Sequence, residues 1–264
     1  MQSLRAGLIL TLFFALTLPL MPVQLVLVAL KSPWARRMPH WYHRQVCRIV
    51  GVRILVEGTV PDGQPALLIS NHVSWLDIPV LSAVAPASFV AKQEVGTWPF
   101  VAWLARLQRS IFVNREQRGA VAGTARSIMD RLHAGDSIVL FAEGTSSDGN
   151  GVLPFRTSLF AAAKPPEKLA AKLEEGIFVQ TVALGYTRLH GLPLTRRERP
   201  YIAWYGDMEM ASHAWKLLKL GPLDVHVRLG EPVALKSFPD RKALARYTEA
   251  RVRSDVAEIL TPRQ

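Results

Sequence analysis

Cysteine is almost missing from this chain. Cys47 is the only one among 264 residues, so no internal disulfide can form, and the usage fits a reducing compartment. No Cys and His cluster at metal-ligand spacing, and nothing in the sequence calls for a metal or a bound cofactor. An RNP-like aromatic motif and a helix-turn-helix signature are also absent, which makes nucleic acid the weakest class of partner despite the charge. No Ser or Cys sits in a nucleophile-elbow setting, so the attacking group is expected to be a hydroxyl of the substrate itself. Acidic residues are scarce: 21 Asp and Glu face 32 Lys and Arg, a net charge of +11. Such a field attracts an anionic membrane surface or an acidic protein. With no internal repeat and no low-complexity linker, the chain suits one domain plus an appendage.

Charge is missing altogether from Ala6 to Leu30, a run of 25 residues rich in Leu, Val and Phe. That exceeds what a bilayer core requires. Three geometries compete. A cleaved signal peptide fits poorly, because the apolar run is too long and Val28-Ala29-Leu30-Lys31 makes a poor cleavage site. In a single span, Lys31, Arg36, Arg37, Arg44 and Arg48 would hold the C-terminal side in the cytoplasm. Pro19 and Pro22 allow a broken, re-entrant helix instead. Either of the last two makes residues 1–34 an N-terminal membrane anchor and places residues 35–264, the expected domain, at the cytoplasmic face. Trp34, Trp41 and Tyr42, interleaved with the basic residues, read as an interfacial belt.

Beyond the anchor, strands and helices alternate. Strands are expected at 52–56, 65–69, 88–91, 110–113, 137–141, 178–184, 201–205 and 223–229. Val121, Ala125, Ile128, Met129 and Leu132 share one face of a helix that Gly135 stops. An amphipathic helix is expected from about Arg241 to Leu260. The pattern is α/β, a single layered domain with a mostly parallel or mixed central sheet flanked by helices.

Chemistry in such folds is presented at strand ends. The first expected site is Ser70-Asn71-His72-Val73-Ser74-Trp75-Leu76-Asp77, directly after an apolar strand, with Ser70 or Asn71 capping a helix that opens inside the motif. If His72 and Asp77 face each other, Asp77 accepts the Nδ1 proton and leaves Nε2 free to take a proton from a substrate. Lys92 ends another strand and could stabilise a developing oxyanion. Phe112-Val113-Asn114-Arg115 brings a guanidinium suited to a phosphate or carboxylate. Glu143-Gly144-Thr145 offers a carboxylate, a flexible backbone and a hydroxyl at a further strand end. Each has a plain alternative: a satisfied histidine, a solvated lysine, a surface ion pair, a turn.

In order and spacing, Asn71-His72-x4-Asp77, Phe112 to Arg115, Glu143 to Thr145 and the strand around Val179 to Val182 resemble the blocks of the lysophosphatidate (1-acylglycerol-3-phosphate) acyltransferase superfamily. The resemblance implies that His72 is the base and Asp77 its orienting partner, that Arg115 binds the acceptor's anionic group, and that Glu143, Gly144 and Thr145 line the acceptor site. It implies transfer of a fatty acyl group from a thioester, on acyl carrier protein or coenzyme A, to a lysolipid hydroxyl. An acidic carrier protein and an anionic membrane surface would both suit the basic charge. The chain departs from many members at Ala142, Ser146 and Thr181, where Pro, Arg and Pro are common. Ser146-Ser147-Asp148-Gly149-Asn150 followed by Leu153-Pro154-Phe155 is similar to the lyso-ornithine lipid acyltransferase branch. Lyso-ornithine lipid is therefore the expected acceptor, lysophosphatidate the rival or second substrate, and a non-catalytic basic protein recruiting partners to a membrane the alternative of another class.

Overall fold

The computed structural model describes residues 1–61, 63–113, 120–162 and 177–261. Its sheet is built from β1 (Val52–Glu57), β2 (Ala66–Ser70), β3 (Ala87–Lys92), β4 (Ile111–Val113), β5 (Ser137–Phe141), β6 (Phe178–Leu189), β7 (Leu192–Pro193), β8 (Leu223–Leu229) and β9 (Val233–Ala234). The main order is β1-β8-β6-β2-β5-β3-β4, with β7 and β9 pairing only with β6. Strands β6, β2, β5, β3 and β4 run parallel to one another, whereas β8 is antiparallel to β6 and parallel to β1. The sheet is mixed around a parallel centre, as the sequence pattern implies.

Helices cover both faces: α1 (Gln2–Ala29), α2 (Trp34–Val50), α3 (Asp77–Val84), α4 (Val101–Leu107), α5 (Ala120–His133), α6 (Met210–Leu220) and α7 (Arg241–Leu260). Central β2 explains the two layers. All its residues are buried, and because side chains alternate along a strand, Leu68 enters one core while Leu67 and Ile69 enter the other. The first core receives Ala6, Val46, Val80 and Leu217 from α1, α2, α3 and α6. The second receives Ile128 and Leu132 from α5 and Leu244 and Val252 from α7. α7 can approach β6 closely because residue 185 is glycine; a Cβ there would stand 2.8 Å from Ile259 Cγ2.

α1 is continuous through Pro19 and Pro22 and is long and apolar enough to cross a bilayer by length and composition. It does not hang free of the domain. Arg5 donates to the carbonyls of Leu218 and Val50, the Thr17 and Tyr42 hydroxyls are 2.8 Å apart, and Gln24 Nε2 donates to the carbonyls of Ala35 and Leu107. From Arg5 to Gln24 is roughly 28 Å of helix. The face so fixed buries Ala6, Ile9, Thr17 and Gln24, while Leu4, Leu8, Leu12, Leu18 and Leu25 point outward. Trp34 and Trp41 are exposed, but Tyr42, expected in the same belt, turns inward to Thr17.

A second polar junction lies at the start of β5. Asp136, 5% exposed, accepts from Arg36 Nε at 2.8 Å, from Arg109 through both oxygens and from Arg131 Nε. Arg131 also reaches Ser88 Oγ and the Arg109 carbonyl. One carboxylate thus holds α2, the α4–β4 turn and α5 against the sheet.

Two local expectations fail. Residues 201–205 form no strand; a short 3-10 turn at Arg199–Tyr201 leads into a loop. Here polar and aromatic residues are tied to the loop following β2, Trp204 N donating to the Val73 carbonyl at 2.9 Å. Neither Ser70 nor Asn71 caps a helix, since 71–74 carries no regular secondary structure and α3 begins only at Asp77.

Candidate active site

The loop from Asn71 to Leu76 leaves the carboxyl end of β2 alongside the middle of β6, and its shape is set by side chains that satisfy its backbone. Asn71 is fully buried; its Nδ2 donates to the Leu184 carbonyl and its Oδ1 accepts from Leu184 N, both at 2.9 Å, so the amide extends the β2–β6 ladder by one rung. Ser147 N donates to the His72 carbonyl at 2.8 Å. Gly149 has φ 81 and would place a Cβ 3.3 Å from Val73 Cγ1, so the loop after β5 nests against the histidine loop only with glycine there.

Within this frame His72 Nδ1 lies 2.8 Å from Asp77 Oδ2. The same oxygen accepts from Val73 N at 2.6 Å and Ser74 N at 3.0 Å. Asp77 Oδ1 accepts from the Tyr186 hydroxyl at 2.8 Å. The carboxylate is fully buried, with no cation among these donors, while the imidazole side chain is 16% exposed. Phe141 stacks on the ring with centroids 4.0 Å apart and planes inclined by 19°. An Nδ1–H bonded to a carboxylate puts the neutral ring's lone pair on Nε2. Among the described residues nothing bonds to Nε2. The pair can therefore take a proton from a ligand that reaches Nε2 and stabilise the resulting imidazolium.

Glu143 stands behind His72. It is 1% exposed; Oε1 accepts from His72 N at 2.8 Å and Oε2 from Leu153 N at 2.9 Å. Burial pushes its carboxyl up to about 8, against the pull of those two amides. The resemblance places Glu143 among residues lining an acceptor; in the structure its carboxylate links the histidine loop to the chain following Asn150. Gly144, with φ 74, turns the backbone after it, and Thr145 is half-buried beside it.

A family model described as Acyltransferase matches residues 53–185. The lyso-ornithine lipid O-acyltransferase of Brucella abortus is 47% identical over 262 residues, 99% of this chain and 97% of that protein. The chain belongs to the acyltransferase family. The lyso-ornithine lipid O-acyltransferase of Rhizobium meliloti is 41% identical, covering 94% of this chain and 84% of that one. The 1-acyl-sn-glycerol-3-phosphate acyltransferase of Neisseria meningitidis is 32% identical, covering 75% and 71%. The crystal structure of the 1-acyl-sn-glycerophosphate acyltransferase from Thermotoga maritima superposes over 100% of both chains with a TM-score of 0.68 at 21% identity, a likeness of fold.

Not every expected site residue of this acyltransferase gathers around His72. Lys92 ends β3 and is exposed; β3 is two strand spacings from β2, about 10 Å, and no contact joins Lys92 to the base. Arg115 lies outside the described residues, though Val113 at the end of β4 precedes it closely. Ser146 Oγ donates to the Trp204 carbonyl, so the hydroxyl that stands in place of the common arginine is used within the protein. Sequence reasoning missed Asn71 as a strap and Tyr186 as a partner of Asp77. A lone hydroxyl in the otherwise apolar Val182-Ala183-Leu184-Gly185-Tyr186 run was the available signal for Tyr186.

Proposed function

We propose that this acyltransferase moves a fatty acyl group from a thioester to the hydroxyl of a lysolipid, with lyso-ornithine lipid as the acceptor. The observation that carries the chemistry is the His72–Asp77 bond, which leaves Nε2 open at a half-buried position. Nε2 takes the proton of the acceptor hydroxyl as its oxygen attacks the thioester carbonyl. The tetrahedral oxyanion collapses, the carbon–sulfur bond breaks, and the departing thiolate takes the proton back from the imidazolium. Asp77 supplies the negative charge that favours the imidazolium in between. No enzyme nucleophile enters the sequence of bonds.

The choice of acceptor rests on similarity along the whole chain to proteins named for lyso-ornithine lipid, and on Ser146 where an arginine is common in the family. Arg115 would hold the ornithine carboxylate, with Thr145 beside the acceptor and Glu143 fixing the loop that carries His72. Lysophosphatidate is the second reading, favoured by the Neisseria relative. The net charge of +11 suits an acyl carrier protein as donor, with coenzyme A as the other thioester. The outward leucines of α1, with exposed Trp34, Trp41 and Trp103, suit a body that rests on the bacterial inner membrane from the cytoplasmic side, α1 lying along the lipid.

The test is acyl transfer in membranes holding the protein, supplied with acyl carrier protein thioester and either lyso-ornithine lipid or lysophosphatidate, with His72→Ala as control. Ornithine lipid as the dominant product supports the assignment. Phosphatidate alone overturns the acceptor, and no product with either lipid overturns the reaction.

A further inference from the structure

Tyr186 is the buried ionisable group nearest the base for which the reaction as written has no use. It is 3% exposed, and its hydroxyl donates at 2.8 Å to Asp77 Oδ1, the oxygen that faces away from His72. Burial and the neighbouring Asp77 charge raise the phenol well above its usual value. The hydroxyl therefore keeps its proton throughout the working range and can only donate to Asp77.

Regular strand alternation delivers this side chain. β6 pairs in register with β8 from Val182 to Tyr186, then slips, so that Tyr186 faces Val225 while Arg188 faces Asp224. Tyr186 lies on the same face as Val182 and Leu184, in the core beneath α3. The two ends of the Asp77 carboxylate are thus occupied differently: Oδ2 by His72 and two backbone amides, Oδ1 by Tyr186.

We propose that Tyr186 is a positioning residue of the acyl transfer, fixing the Asp77 carboxylate so that Oδ2 stays aligned with His72 Nδ1. Without the phenol, Oδ1 is an anionic oxygen in a dry site with no donor. A buried charge left in that state turns toward another donor or takes up a proton. Either response weakens the hold on the imidazole tautomer. The hydroxyl acts through Asp77 and touches no substrate, so its effect belongs in kcat and not in KM.

The proposal rests on His72 being the base, and the experiment separates the two. kcat and KM are measured per folded protein for the wild type and for His72→Ala, Tyr186→Phe, Asp77→Asn and the double variant Tyr186→Phe/Asp77→Asn, together with melting temperatures. Phenylalanine keeps the ring and its packing. Expected are an inactive His72→Ala protein, a kcat for Tyr186→Phe lower by about tenfold with KM within twofold, and no further loss when Tyr186→Phe is added to Asp77→Asn. If kcat is unchanged and only the melting temperature falls, Tyr186 is structural and the proposal is overturned. The same follows if the Tyr186→Phe loss is equal with and without the Asp77 carboxylate. Activity surviving in His72→Ala overturns the base itself, a separate failure.

Discussion

Asp77 and Asp136 are buried carboxylates at opposite ends of two adjacent parallel strands, β2 and β5, and the protein surrounds them with opposite kinds of donor. Asp136 precedes β5 and takes guanidinium groups from Arg36, Arg109 and Arg131. Asp77 lies beyond the carboxyl end of β2 and takes two backbone amides, a phenol and an imidazole. At Asp136 the negative charge is more than compensated in the resting protein, so nothing remains to respond to a change nearby. Charge-assisted bonds of this sort fix geometry. At Asp77 neutral dipoles orient the carboxylate without cancelling its charge, and a matching positive charge forms only when His72 accepts a proton. A site arranged in advance for a charge that appears during reaction lowers the barrier, whereas a charge already paired at rest adds stability alone.

Breaking the catalytic side should have the larger consequence. His72→Ala is expected to lower acyl transfer by at least about a thousandfold, with circular dichroism and membrane retention unchanged; substantial turnover would remove the mechanism. Asp77→Asn keeps the size of the side chain but places an amide where His72 Nδ1–H, two amides and a phenol all donate. A drop in kcat of about a hundredfold or more is expected, and near-normal turnover would undo the role given to Asp77.

On the other side of the comparison, Asp136→Asn should cost stability and spare chemistry. It leaves the guanidinium groups crowded against one another, at about 2 kcal/mol, the modest end for a buried pair because Arg36 is open to solvent. Denaturant unfolding reads the loss. An unchanged kcat at a temperature where the variant remains folded would sharpen the contrast, and a collapse of kcat in folded protein would erase it.

Glu143 falls between the two cases, a buried carboxylate bonded by two amides with no formal cation in contact. Its folded value of about 8 lies above its ordinary 4.5. Between these the folded chain binds more protons than the unfolded one, so this group's contribution makes stability fall as pH rises through that window. Glu143→Gln should flatten that part of the pH profile of unfolding, and an unaltered slope would assign it elsewhere. The smallest effect concerns Cys47, on the buried face of α2, whose thiol burial pushes up to about 12. Thiol labelling near neutral pH is expected to follow unfolding, and rapid labelling of the folded enzyme would show that α2 opens locally.

Reach along the chain separates what the sequence revealed from what it hid. His72 and Asp77 are five positions apart, and a motif that compact announces its own contact. The strand ends were legible because apolar runs stop abruptly at Ser70, Lys92 and Phe141. Tyr186 is 109 positions from Asp77, and Asn71 is 113 from Leu184; no periodicity encodes those meetings. Glu143 was visible as a strand-end carboxylate, but its direction depends on His72 N and Leu153 N, which only the folded loops bring together. α6 went unread, its pattern lost among Trp204, Tyr205 and Met208 in the preceding loop.

α1 has a consequence for the order in which the protein is made. It is synthesised well before its partners, since the carbonyls that receive Arg5 and Gln24 belong to Leu218 and Leu107. Until those residues are synthesised, the helix holds its arginine and its buried glutamine without their final acceptors. The chain made later must therefore fold back onto this helix, and its docking is complete only when Leu218, 213 positions beyond Arg5, is in place.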